Sequence, residues 1–468
     1  MVSYLKLGSL VCFLASTLCL AYYFDLGNST QNQYESVEEK GPSISYFIDL
    51  VITQDQQALD KALTKIDAEW MSESEILLIE ALYFTQHRDV SKKLVSLLER
   101  KTGKRFGYDF DAWYEWLWNK DATYADDYYE YKAELHQLID PKFGPYFLNR
   151  EEQSTIRLDE VRWGGVLQDG IPPLRNPKMI SATEATYLKD SNTVFGIEVN
   201  GDARAYPKRI LAWHEMFVDT VGDVPVAGVY CTLCGTVILY KTEHKGINHA
   251  MGTSGFLYRS NKLMYDQETQ SLWSTMEGEP VIGPLVGKGI RLSYLSVVTT
   301  TWGEWKERHP NTAVLSLNTG HRRDYGEGIA YKDYFATDDL MFNVPEVDKR
   351  LRNKDEILSL RAPEETKENI AVSSKFLKKN SVYQLQLGSI PLVIFTDASG
   401  AHRVYRSNGI TFNTYDKKAT ATDATGTSWN VAEEELRATD GTVLARFPSH
   451  NAFWFGYKAA FPDTQLIK

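Results

Sequence analysis

The period of the apolar positions changes once along this chain. From about residue 43 to 155 apolar residues return at helical spacing. Ile76-Leu77-Leu78-Ile79 follows Ser72 and Glu75, which read as a capping box, and Lys92-Lys93-Leu94-Val95-Ser96-Leu97-Leu98 forms a second amphipathic run. Trp113, Trp116, Tyr128, Tyr129 and Tyr131 sit at spacings that place them in a packed layer between helices rather than around a ligand. Stacked helical hairpins are the expected form. Beyond Trp163-Gly164-Gly165 and Asp169-Gly-Ile-Pro-Pro173 the texture turns to Gly and Pro punctuation with short β-branched runs. Val194 to Val199, Asn200-Gly201 and Ala203 to Tyr206 predict a hairpin closed by a type I′ turn. The expected fold class is α+β, a helical domain followed by a β-rich one.

Comparison of the chain with itself suggests that the β-rich part is a degenerate internal duplication. Gly222, Pro225, Gly235, Tyr240, Trp273, Trp302 and Pro310 find counterparts in Gly388, Pro391, Gly400, Tyr405, Trp429, Trp454 and Pro462, in unbroken order. The boundaries expected on this basis are 156–330 for the first repeat and 331–468 for the second. What both copies keep is what packing and turns require. What only the first keeps is reactive: His214-Glu215 faces Asn380-Ser381, and Cys231-Thr-Leu-Cys234 faces Thr396-Asp-Ala-Ser399. The stretch from Tyr240 to Trp273 is also nine residues longer than that from Tyr405 to Trp429, and it carries His244 and His249. An inserted active-site loop is the expectation there.

The N-terminus has a pattern of its own. Lys6 precedes eighteen uncharged residues, Leu7 to Phe24, and acidic residues follow from Asp25 through Glu39. That length is the minimum for a membrane span, and the charge order places the bulk of the chain outside the cytoplasm, whether the segment (1–24) stays as an anchor or is removed as a signal. Residues 25–42 are polar and aperiodic, as a tether would be. The expected location is therefore extracytoplasmic, periplasm or cell surface. A net charge of -11 over 468 residues argues against nucleic acid as a partner. The helical domain is left as the candidate surface for a protein partner.

Cys12 and Cys19 fall in the apolar segment, so Cys231 and Cys234 must be explained by themselves. Strands are expected on both sides of Cys-Thr-Leu-Cys-Gly, which makes a knuckle that presents two sulfurs to one point, as in metal-gripping hairpins. With no second cysteine pair, a zinc or copper site needs His214 as third ligand and His249 as a further candidate, with Glu215 as general base; catalytic roles would then rest on Glu215, Cys231 and Cys234. Two alternatives stay open: thiol–disulfide exchange at the same pair, and a structural disulfide in a non-catalytic binding module. Tyr258, Arg259, Asp266 and Ser271 are candidate ligand contacts, although Asp266-x-x-Thr-x-Ser-x-Trp273 also reads as an Asx-capped turn against a packed Trp. The order His-Glu and the Tyr before Cys231 do not fit a hydrolytic deaminase.

From Asp169-Gly-Ile-Pro-Pro through Trp213-His-Glu215, Tyr230-Cys-Thr-Leu-Cys-Gly235, Gly255-Phe-Leu-Tyr258 and Thr301-Trp302 to Phe453-Trp-Phe455, the chain closely resembles the bacterial family catalogued as domain of unknown function 3179. The resemblance covers about residues 155–465. It implies a secreted or membrane-anchored location and no particular activity.

Overall fold

The computed structural model describes residues 41–362 and 368–468. The expected anchor, and the tether as far as residue 40, lie outside the described residues. Among the described residues no helix is long and apolar enough to cross a membrane.

The helical part is built as its periodicity requires. Helices run over Ile44–Ile52, Gln56–Ala68, Ser74–Phe84, Arg88–Thr102, Phe110–Trp118 and Tyr128–Gln137. Leu94, Leu97 and Leu98 are buried, and so are Trp113, Tyr128, Tyr129 and Tyr131, with Trp116 partly covered against them. The capping box does not form. Ser72 donates its hydroxyl to Glu73, Ser74 instead accepts the Met71 N–H at 3.2 Å, and the Glu75 carboxylate pairs with Lys120. A carboxylate at the start of a helix has a choice between the backbone and a nearby ammonium, and here the ammonium wins.

The change of period near residue 155 marks a change of secondary structure without a break in the core. Phe47, Leu77, Tyr131 and Phe147 of the helical part share one hydrophobic cluster with Phe256, Leu263, Tyr265 and Leu272 of the first β meander. Residues Gly41 to Lys468 accordingly form a single compact unit.

The β-rich part falls into two halves with a similar order of elements. In the first half, strands Thr193–Val199 and Asp202–Pro207 make a hairpin, helix Lys208–His214 follows, and Met216–Val221, Val224–Cys231 and Thr236–Lys241 form a meander. Asn200 and Gly201 both have positive φ, as the type I′ turn demands. A second meander runs from Met251–Tyr258 to Glu279–Ile282. Strand Val298–Thr301 then returns antiparallel to Thr193–Val199, helix Trp302–Arg308 follows, and Ala313–Leu315 closes parallel to Asp202–Pro207. In the second half the same roles fall to the hairpin Glu356–Arg361 and Asn369–Ser373, helix Ser374–Lys379, and the meander Val382–Leu387, Ile390–Thr396, His402–Arg406. The second meander runs from Phe412–Tyr415 to Val443–Ala445. The return strand His450–Phe453 is antiparallel to Glu356–Arg361, helix Trp454–Ala460 follows, and Gln465–Ile467 is parallel to Asn369–Ser373. Trp302 and Trp454 open equivalent helices and are both buried. The strands of the second half begin at Glu356, so the expected boundary at 330/331 falls inside the segment that links the halves.

The halves hold each other's first meander shut. The N–H of Phe453, on the return strand of the second half, donates to the Cys234 carbonyl at 2.8 Å. Reciprocally, the hydroxyls of Thr300, on the first return strand, and Ser399, in the second half's turn, are 3.1 Å apart. The reactive hairpin is thereby placed at the junction of the two halves.

Candidate functional site at the cystine hairpin

Strand Val224–Cys231 ends where the expected turn begins, and Cys231 still pairs with Thr236 across the ladder. Cys231 and Cys234 are joined as a disulfide with Cα atoms 5.6 Å apart, and only 2% and 1% of the two residues are exposed. Gly235 follows at φ +57°, where a side chain would be strained, and a Cβ there would lie 2.7 Å from the Phe453 ring. Gly456 comes equally close on the other side: a Cβ on it would be 2.5 Å from the Cys234 Cβ. From the linking segment, the Tyr334 hydroxyl donates to the Leu233 carbonyl at 2.7 Å. The cystine is thus sealed by the opposite half and by the linker.

Glu215 touches this turn directly. It ends helix Lys208–His214 in a left-handed conformation, φ +54°, which turns its side chain toward the cysteines. One carboxylate oxygen accepts from the Thr232 hydroxyl at 2.5 Å and from Tyr331 at 3.1 Å. The other lies 3.1 Å from the ammonium of Lys262, and both side chains are buried. Burial lowers the Lys262 pKa and Glu215 partly restores it. The Glu215 carbonyl meanwhile accepts from the Tyr230 N–H at 2.9 Å and from Lys262 at 3.3 Å.

His214 points elsewhere. Its Nδ1 is 2.8 Å from the Pro172 carbonyl and its Nε2 is 2.6 Å from the Tyr325 hydroxyl, so both ring nitrogens are taken. His249 is occupied as well: its Nδ1 lies 2.8 Å from Asp266, beside the buried Trp273 ring. Asp266 also accepts the Glu268 and Thr269 N–H groups at 2.9 Å, which is the Asx-capped turn. In the second half Asp423 caps the equivalent turn but accepts the Trp429 indole N–H at 2.9 Å. In the first half the Trp273 indole N–H is buried without a partner among the described residues, and His249 holds the carboxylate instead.

The expected ligand contacts are likewise turned inward. Arg259 forks onto Glu160 and donates to the Ala459 carbonyl at 3.2 Å, with its guanidinium against the Tyr258 ring. Ser271 is fully buried between Thr269 and the Leu285 N–H. The insertion is not one loop. Part of it forms the hairpin Glu243–His244 and Ile247–Asn248, and part lengthens the strands that meet at Tyr258 and Asn261.

Cys231, Cys234, His214 and His249 therefore do not converge on a common point through any contact, and among the described residues no group of three or more His, Cys, Asp or Glu side chains could hold a metal ion. The donor set does not fit zinc or copper in this form, since a disulfide offers no thiolate and both histidines already have partners.

Lys262, Thr232 and Tyr331 belong to the site and were not anticipated. Thr232 lies between the cysteines, a position that could have flagged it, whereas nothing local marks Lys262 or Tyr331. The second half solves the same structural problem with charge. Asp397 follows the strand equivalent to that of the cysteines, and its carboxylate meets the fully buried Arg403 at 2.6 Å. Arg403 also reaches Glu433 at 2.6 Å and, in the first half, Glu304 at 3.2 Å.

Buried histidines set the acid response of this region. Burial holds His214 down at about 4 and His402 at about 3, both below the ordinary 6.5. Between those values and 6.5 the unfolded chain binds protons that the folded chain does not, so stability rises with pH and is lost as pH falls through that window. We expect the urea midpoint to fall steadily from about pH 6.5 to about pH 4, and His402→Gln to flatten part of that slope.

Fold and site together define an α+β protein with a buried cystine hairpin where the two halves of its β-rich part meet. Residues 168–464, more than half of the chain, match the model of the family described as protein of unknown function (DUF3179), and the chain belongs to that family. No curated protein and no solved structure matches it.

Proposed function

We propose that this protein is an extracytoplasmic binding module, tethered through residues 7–24, in which the disulfide is structural and the second half is a degenerate copy of the first. One observation carries the reading. The side chains that set the first half apart, Cys231, Cys234, His214 and Glu215, are all buried and all engaged by other protein groups. Such groups build a frame; a nucleophile or ligand set would face a cleft.

The experiment is a measurement of the reduction potential of the native pair. A structural disulfide should lie below about -300 mV. Replacing both cysteines by serine should cost about 2 kcal/mol, the loop entropy of so short a bridge, and leave a cooperative fold. A potential near that of known exchange catalysts would sink the reading, as would stoichiometric zinc or copper in anaerobically purified protein that Cys231→Ser removes.

A second reading has one observation in its favour. The Glu215–Lys262 pair rests on Thr232, between the two cysteines, where a proton could be supplied to a leaving thiolate. Thiol–disulfide exchange would then require Glu215→Gln to shift the pH profile of reduction, and not only stability.

A further inference from the structure

A cavity of about 230 Å³ lies where the two halves meet, and its walls come in matched pairs. Gly235 of the cystine turn and Gly400 of the second turn line it, together with the two return strands at Thr299 to Thr301 and at Asn451 and Phe453. A second cavity of about 360 Å³ adjoins it, sharing Lys208, Glu356, Lys378 and Phe453. Junctions between like-folded units are where small-molecule sites are commonly built.

The chain carries net charge -11, yet this cleft is locally cationic: Lys208, Lys354, Lys375 and Lys378 face only two carboxylates, Asp355 and Glu356. Lys375 is paired with Asp355 at 2.7 Å, and Lys354 donates to the carbonyls of Tyr334 and Thr337. Lys208 and Lys378 make no ion pair with any described residue. Lys208 is half-buried with its ammonium 4.8 Å from the Phe335 ring; burial lowers its pKa, and the nearby Glu356 and Glu327 carboxylates offset only part of that. Two residues of the inner wall carry buried hydroxyls. Tyr230 and Thr299 both line the cavity, and among the described residues neither of their buried hydroxyls has a hydrogen-bond partner. Ammonium groups that form no ion pair, beside unpartnered hydroxyls, suit an oxyanion. At about 30 Å³ per water, the inner cavity holds roughly eight waters or one small molecule.

We propose that this cleft binds a small oxyanion, a carboxylate- or phosphate-bearing molecule, between Lys208, Lys378 and the hydroxyls of Tyr230 and Thr299. The site rests on the binding-module reading and gives that reading a ligand class. None of these residues belongs to the cystine, so the site can be tested separately from it.

Titration calorimetry of the full chain with inorganic phosphate and with succinate tests the proposal. At least one should bind with Kd of about 1 mM or tighter, and Lys208→Gln and Lys378→Gln should each weaken it about tenfold, with Tyr230→Phe weakening it less. Urea unfolding of each variant establishes that the fold persists. Absence of binding by both probes overturns the site, as does equal binding by both lysine variants or by uncharged ribose. The two readings fail differently. A redox-active cystine with lysine-dependent phosphate binding would remove the structural-disulfide reading and leave the site, whereas an inert cystine with no oxyanion binding would remove the site alone.

Discussion

Glu215→Gln is expected to destabilise the protein by about 3–5 kcal/mol, the usual cost of stranding one member of a buried ion pair. The amide still accepts from Thr232 and Tyr331, so the loss isolates the charge: Lys262 remains buried, with the Glu215 backbone carbonyl at 3.3 Å as its remaining contact. Pairing Glu215→Gln with Lys262→Met should recover much of the loss, because an apolar side chain in place of a stranded ammonium is often nearly neutral. Urea unfolding of the two single variants and the double variant measures both effects. A single-variant loss below about 1 kcal/mol would mean that this pair does not hold the cystine turn.

Arg403→Met is expected to cost a similar amount, about 3–5 kcal/mol at neutral pH, because it removes the one guanidinium that meets Asp397, Glu433 and Glu304. Burial pushes Asp397 and Glu433 up, but Arg403 and their other partners outweigh it and hold both below the usual carboxylate range. Glu304 goes the other way, since burial and the nearby Asp397 outweigh Arg403 there and its pKa rises. The sign of the pH dependence follows from the two depressed groups. Their contribution is present above the unfolded values of about 4 and is lost as pH falls through the folded ones. Arg403→Met should therefore hurt most near pH 7 and progressively less in acid. Unfolding free energies of wild type and variant that stay parallel from about pH 7 to about pH 3 would contradict this assignment.

Much of the architecture is legible along the chain because it follows from local period. The 3.6-residue rhythm around Leu94 gives an amphipathic helix and the apolar run at Ile76 to Ile79 a helix buried on nearly every side, the Asn200-Gly201 dipeptide gives its hairpin, and the strands flanking Cys231 and Cys234 appear where expected. The aligned Pro225 and Pro391 each sit second in a strand, and Trp302 and Trp454 each open a short helix. The capping box failed because Glu75 found Lys120, a residue 45 positions away that no local pattern reveals. Arg259 looked available as a ligand contact because its partner Glu160 is 99 positions away, and Glu215 looked like a free base because Lys262 is 47 positions away.

The chain by itself determined that one hairpin would carry two cysteines on a tight turn, and that His214 and Glu215 would precede it by a short stretch of chain. Both statements concern residue type and order, which sequence contains in full. Tertiary structure decided what those groups do. It closes the cysteines into a disulfide, buries them under Phe453 and Gly456 from the opposite half, gives Glu215 to Lys262 and His214 to Pro172 and Tyr325. It also places Lys208 and Lys378 beside Tyr230 at the junction, where neither lysine forms an ion pair among the described residues. The reason is physical: whether a polar side chain is free or engaged depends on which distant groups arrive within about 3 Å of it, and packing sets that distance.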